Sequence, residues 1–181
     1  MKKTIIICGL VGGLIVTSTM IATMIGLIKN PYFEGGMLLG YATMLVALSP
    51  IYVAVKNGRD KFGSGFISFG RAFRIGLMIT LIASTIYVLV WEIDYYFFIP
   101  DFFERYSQHI VDKMRASGVS PAEIQKQIIS SQSMGQLYKN PLVCAAYTYL
   151  EIVPVGLLVS LICALILKRR AYTGAMVENK A

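Results

Sequence analysis

Four long stretches of the chain are almost free of charge, and Lys and Arg residues collect at their ends. The first runs from Ile5 to Ile28 between Lys2, Lys3 and Lys29, and the second from Gly36 to Val55. The third extends from Ile75 to about Tyr96, and the fourth from Leu142 to Leu167, ahead of Lys168, Arg169 and Arg170. A hydrocarbon core of about 30 Å needs roughly 20 apolar residues at about 1.5 Å each, so every stretch is long enough to cross it. The pattern predicts an all-α polytopic membrane protein with four transmembrane helices, forming one domain over residues 1–181.

The only sizeable aqueous segment lies between the third and fourth spans and reads as an extracytoplasmic amphipathic helical hairpin over about 100–139. In its first half Phe102, Phe103, Tyr106, Ile110 and Met114 recur at three- and four-residue spacing, with Asp112, Lys113 and Arg115 off that stripe. Gly118 is a C-terminal cap, and Ser120, Pro121 and Glu123 start a second helix, since the Ser oxygen caps free amides and Pro fits the first turn. That helix runs to about Tyr138 and is expected to bury Ile124, Ile128 and Leu137. The plain reading packs the two helices on each other and on the outer bilayer surface; the alternative makes them a docking surface for a partner.

Composition agrees with the pattern: 56% of the 181 residues are hydrophobic and 15% charged. The net charge of +7 brackets the apolar runs instead of forming a basic stripe, which argues against nucleic-acid binding. Eleven of the 17 Lys and Arg fall with the two termini and the loop after span two, and six on the other side, five of these in the long loop, where charge carries little orientation signal. Both termini are therefore expected in the cytoplasm, with the basic tail 168–181, and the bilayer is expected to be the bacterial inner membrane. The MKKTI opening resembles a signal peptide, but its apolar run is too long and lacks a small-x-small cleavage site, so it is read as a retained span.

Carboxylates inside spans are costly unless paired, protonated or wetted, which makes them the best clues to chemistry. Glu92 lies about 17 residues from the inner end of span three and Glu151 about 16 from that of span four, so both are expected roughly 25 Å up and at one level. Pro154 frees the Leu150 carbonyl and kinks the helix beside Glu151, and helical spacing places Tyr147 and Thr148 on the Glu151 face and Thr85, Tyr95 and Tyr96 on the Glu92 face. Glu92, Glu151, Tyr147 and Pro154 thus form a candidate proton or cation site; the plain alternative is a pair of acids satisfied at the outer interface by water, tyrosine hydroxyls or Lys139. Arg59, Lys61, Arg71 and Arg74, interleaved with Phe62, Phe66, Phe69 and Phe73, are candidate headgroup contacts. Gly156, Ser160 and Ala164 form a small-residue packing face, as do Gly9 with Gly13, Gly36 with Gly40, and Ala72 with Gly76. Three Cys and one His leave no metal centre, cofactor motif or catalytic triad to expect, and His109 reads as a solvated side chain.

The segments from Ile67 to Phe102, with the string WEID, and from Tyr138 to Arg170, with YLEIVP, resemble domain of unknown function 4199, a family of small four-helix bacterial membrane proteins. The likeness extends to the MKKTI opening and the KNGRDK stretch. It implies a four-span inner-membrane protein and brings no activity, cofactor or site with it. The residues give two functional expectations. The first is a non-enzymatic structural or accessory subunit of an envelope complex, held in the lipid bilayer with a membrane-protein partner or as a homo-oligomer. The second is a small proton- or cation-coupled transporter or channel subunit using the intramembrane carboxylates.

Overall fold

The computed structural model describes residues 1–29 and 37–169. Among these described residues seven α-helices follow in order: α1 (Lys2–Lys29), α2 (Met37–Leu48), α3 (Pro50–Asp60), α4 (Phe69–Ile93), α5 (Phe102–Ala116), α6 (Pro121–Tyr138) and α7 (Pro141–Leu167). The described residues contain no strand, and four helical segments are long and apolar enough to span a membrane: Lys2–Gly26, Leu38–Asp60, Phe69–Phe98 and Pro141–Leu167. The expected start of span two at Gly36, its pairing with Gly40, and the tail beyond Arg169 lie outside the described residues.

Helix α4 is the spine, lying along α7 on one side and α1 on the other. Lipid tails are as apolar as leucine, so these helices hold together by close packing of small residues more than by exclusion of water. The α4–α7 seam is built that way. A Cβ added at Gly76 would fall 2.5 Å from the Ser160 Oγ, and one at Gly156 would collide with Thr80, while Ala164 and Ala72 are fully buried beside them. Thr80 and Ser160 meet at 3.4 Å, and the Ser160 hydroxyl donates to the Gly156 carbonyl at 2.7 Å. The opposite surfaces turn Ile6, Leu10, Leu14, Leu158, Ile162 and Ile166 outward, where lipid covers them.

The second span differs from the uninterrupted run expected over 36–55: it extends to Asp60 and divides at Ser49 and Pro50. Pro50 has no N–H to give to the Val46 carbonyl. Ser49 replaces it, donating to that carbonyl from its hydroxyl at 2.7 Å and its amide at 3.1 Å. The adjacent Ala47 carbonyl lies so close to α1 that a Cβ on Gly12 would stand 2.5 Å from it.

The third span starts at Phe69 instead of Ile75, capped by Ser68, whose hydroxyl accepts from the Arg71 amide. Arg71 and Arg74 are thus helical, not part of a loop. At its far end the helix passes into a π-turn, Asp94–Phe98, in which the Ile99 amide donates to the Asp94 carbonyl at 2.9 Å. Pro100 then turns the chain into α5.

Helices α5 and α6 form an antiparallel pair joined through Gly118 (φ +70°), with Ser120 capping α6 and Glu123 answering it at 3.0 Å. Their facing sides carry Val111 and Ser131, both buried, and Phe103 packed against Gly135. Leu137, expected inside, is exposed: the inward face contains Gly135 and Tyr138, and Leu137 stands about 100° round the helix from its neighbour Tyr138.

Candidate functional site

A cavity of about 400 Å³ opens between the far halves of the spans, where α1 and α2 face the α4–α7 seam. Its inner floor is a cluster of Val16, Met20, Met44, Ala47, Tyr87 and Ile152. Thr19 and Thr23 of α1 and Gly40 and Thr43 of α2 line its walls, and Glu151 is the one acid among the described residues that line it. The three threonine hydroxyls donate within their own helices, to the carbonyls of Ile15, Thr19 and Leu39, leaving only lone pairs toward the chamber. Tyr41 of α2 also lines it, so the walls are apolar apart from the threonine and tyrosine oxygens, with Glu151 and Tyr87 on the side of the α4–α7 seam. Tyr87 and Glu151 line the chamber together; Tyr87 is only 8% exposed, and Glu151 is exposed.

The two acids do not share a level. Gly76 against Ser160, Thr80 against Gly156, and the Thr85 hydroxyl 2.9 Å from that of Tyr149 fix a single antiparallel register. It sets Glu151 beside Tyr87 and Glu92 beside Cys144, about 10 Å further along the axis. The cause is the earlier start of α4: six additional residues at its beginning, from Phe69 to Arg74, carry Glu92 past Glu151. Glu92 is half-buried and does not line the chamber.

Tyr147 also lies elsewhere than expected. It packs on Tyr138, ring centroids 5.8 Å apart, while Thr148 is buried with its hydroxyl on the Cys144 carbonyl. Tyr87 takes the place assigned to Tyr147. The sequence contained part of the signal: pairing Gly76 with Ser160 and Thr80 with Gly156 puts Glu151 level with Thr85, within two residues of Tyr87 and seven short of Glu92. Pro154 sits inside α7, which runs unbroken from Pro141 to Leu167, and its side chain is exposed.

An aromatic layer closes the same end of the bundle. Trp91 meets Phe102 edge to face at 5.2 Å, Tyr138 meets Phe103 at 4.8 Å and Tyr95 at 5.8 Å, and Tyr106 stacks on Phe102. The Tyr96 hydroxyl donates to the Tyr138 carbonyl at 2.6 Å, fastening the end of α6 to the end of the third span. Burial, followed by the nearby Cys144, Glu151, Tyr147 and Tyr95, pushes the Tyr138 phenol up to about 12. Much of the apolar stripe of α5 is therefore used within the chain.

At the opposite end, the starts of α1 and α4 and the ends of α3 and α7 come together. Ile67 and Arg169 exchange backbone hydrogen bonds of 3.1 and 3.0 Å, tying the loop after α3 to the end of α7. Arg59 is only 14% exposed and is held by Asp60 at 2.6 Å; Lys61, Arg71 and Arg74 project outward. Among the described residues no group of three or more His, Cys, Asp or Glu could hold a metal ion, and Cys8, Cys144 and Cys163 are all buried and free.

The architecture is that of a multi-pass membrane protein with an acid set in a chamber between its spans. The family described as "Protein of unknown function (DUF4199)" matches residues 7–169, and the chain belongs to it. No curated protein and no solved structure matches the chain significantly.

Proposed function

We propose that the protein is a non-enzymatic membrane protein that exchanges protons or small cations through the Glu151 chamber, as a transporter or channel subunit. The observation that carries this reading is the placement of Glu151 and Tyr87 together on the lining of a mostly apolar cavity between the spans. A carboxylate there is costly unless it holds a proton or a cation, and a phenol beside it supplies a hydrogen bond to either state. Glu92, near Cys144 and outside the chamber, has a supporting place in this reading, and Pro154 leaves the Leu150 carbonyl without its helical donor one residue from Glu151. Four spans enclose little pathway, so the working unit is a homo-oligomer. The membrane is the bacterial inner membrane, with the termini, Arg59, Lys61, Arg71 and Arg74 on its cytoplasmic side near anionic headgroups, and the α5–α6 pair outside.

The test is proton flux into liposomes carrying an internal pH dye under an imposed potassium diffusion potential. Wild-type protein is expected to conduct, and Glu151→Gln to lower the flux by about a hundredfold, the lower range for losing a positioned proton-transfer group, with Glu92→Gln near wild type. Flux no greater than in protein-free liposomes, or unchanged in Glu151→Gln, contradicts the reading.

The accessory-subunit reading draws on a different feature, a groove of about 730 Å³ between α5 and α6 bordered by the side chains of Gln108, Gln132, Ser133 and Gln136. A reproducible second protein in the native mass spectrum of the mildly extracted particle, lost on deleting α5 and α6, would favour it. A homo-oligomer alone favours the transporter reading.

A further inference from the structure

We propose that the ligand of the Glu151 chamber is a lipophilic organic monocation, an ammonium or phosphonium centre on an apolar body, which displaces one proton from Glu151 when it binds. The proposal rests on the reading of Glu151 as an exchanging acid and adds the chemistry of what is exchanged.

The chamber's composition carries the inference. A bare Na⁺, Mg²⁺ or Ca²⁺ needs about six oxygen ligands in place of its water. Among the described residues Glu151 supplies the chamber's only carboxylate, and beside three threonine hydroxyls that already donate within their helices the lining is largely carbon and sulfur, with Met20, Met24 and Met44. A bulky organic cation requires no oxygen cage: one carboxylate balances one charge, the apolar walls accept its body, and the aromatic rings of Tyr87 and Tyr41 line the same space. A volume of about 400 Å³ is far larger than a dehydrated metal ion needs and falls within the ordinary range of small-molecule pockets. Among the described residues no Lys, Arg or His stands beside Glu151. The titratable groups facing it are Tyr87 of α4, Tyr138 at the end of α6 and Tyr41 of α2; α1 presents only threonine, methionine and valine. The exchange is balanced: a cation enters, the carboxyl gives its proton to water, and the chamber's net charge is unchanged.

Gly40 supplies an independent handle. A Cβ built there meets nothing within 4 Å, so a larger side chain can grow from α2 into the chamber without disturbing Glu151 or the packing.

The experiment measures binding of radiolabelled tetraphenylphosphonium to the purified full chain in lipid nanodiscs, with neutral triphenylphosphine oxide and NaCl as competitors. Expected are saturable binding that strengthens as pH rises, release of one proton per cation, and displacement by neither competitor. Glu151→Gln should weaken binding at least about tenfold, while Glu151→Asp retains most of it and guards against a folding artefact. Gly40→Leu should also weaken tetraphenylphosphonium binding, by filling the space that the cation's body would take. Absence of binding to wild type, equal binding to Glu151→Gln, or displacement by NaCl overturns the proposal. The flux of the same wild-type preparation separates the two levels: flux without tetraphenylphosphonium binding removes the ligand class and leaves the proton reading standing, and absence of flux removes that reading too.

Discussion

At the scale of single residues, the chain's polar chemistry lies where Glu151 stands beside Tyr87 on the chamber wall. Tyr87 was not legible as a partner of Glu151 because helical periodicity reports faces within one helix and says nothing of its offset against another. Glu151 and Pro154 could be singled out from sequence because charge and proline are rare inside apolar runs. Tyr147 packs on Tyr138 at the end of α6 and is not among the residues that line the chamber, a contact between elements that spacing within one helix does not report. Tyr138 gives a direct check on that packing. Its phenol, pushed up to about 12 mainly by burial, should form tyrosinate late in an absorbance titration of the protein in lipid, and Tyr138→Phe should remove that late step. Because the folded value is raised above an unfolded value near 10, Tyr138's contribution to stability is complete below pH of about 10 and is lost as pH climbs toward 12. Titration of Tyr138 with the ordinary tyrosines would mean that the α6 end is not closed on the bundle.

At the scale of elements, four spans and two amphipathic helices were legible because length without charge and the three- and four-residue spacing are strong signals. The break at Ser49 and Pro50 and the early start of α4 were not. Both depend on local hydrogen bonds, Ser49 onto the Val46 carbonyl and Ser68 onto the Arg71 amide, that hydrophobicity does not encode. The α4–α7 register follows from its small residues and makes a quantitative expectation. Gly156→Val drives a side chain into Thr80 and should destabilise the bundle by about 1–3 kcal/mol, read as a lower unfolding midpoint in detergent. Gly40→Ala, with open space around it, should be neutral or stabilising by up to about 1 kcal/mol, since alanine is the better helix former. Equal effects of the two substitutions would mean that the seam is looser than its contacts indicate.

At the scale of the whole molecule, all four span ends with clustered Lys and Arg point one way, and the aromatic layer with α5 and α6 lies at the other. The three native cysteines are buried, so single introduced cysteines can be labelled against a low background. In intact cells a membrane-impermeant maleimide should reach Ser117→Cys at once and Lys61→Cys only after permeabilisation; the reverse order would invert the proposed orientation. The chamber lies in the half nearer Ser117, so a ligand would enter from the outer side or from the outer leaflet. The central claim is that Glu151 exchanges its proton for a cation inside the bilayer. Its most direct test is infrared difference spectroscopy of lipid-reconstituted protein carrying ¹³C-labelled glutamate, recorded as tetraphenylphosphonium is added at fixed pH. Loss of one label-shifted protonated-carboxyl band, absent in Glu151→Gln and retained in Glu92→Gln, is the predicted result. A spectrum with no carboxyl change, or the same change in Glu151→Gln, would contradict the account.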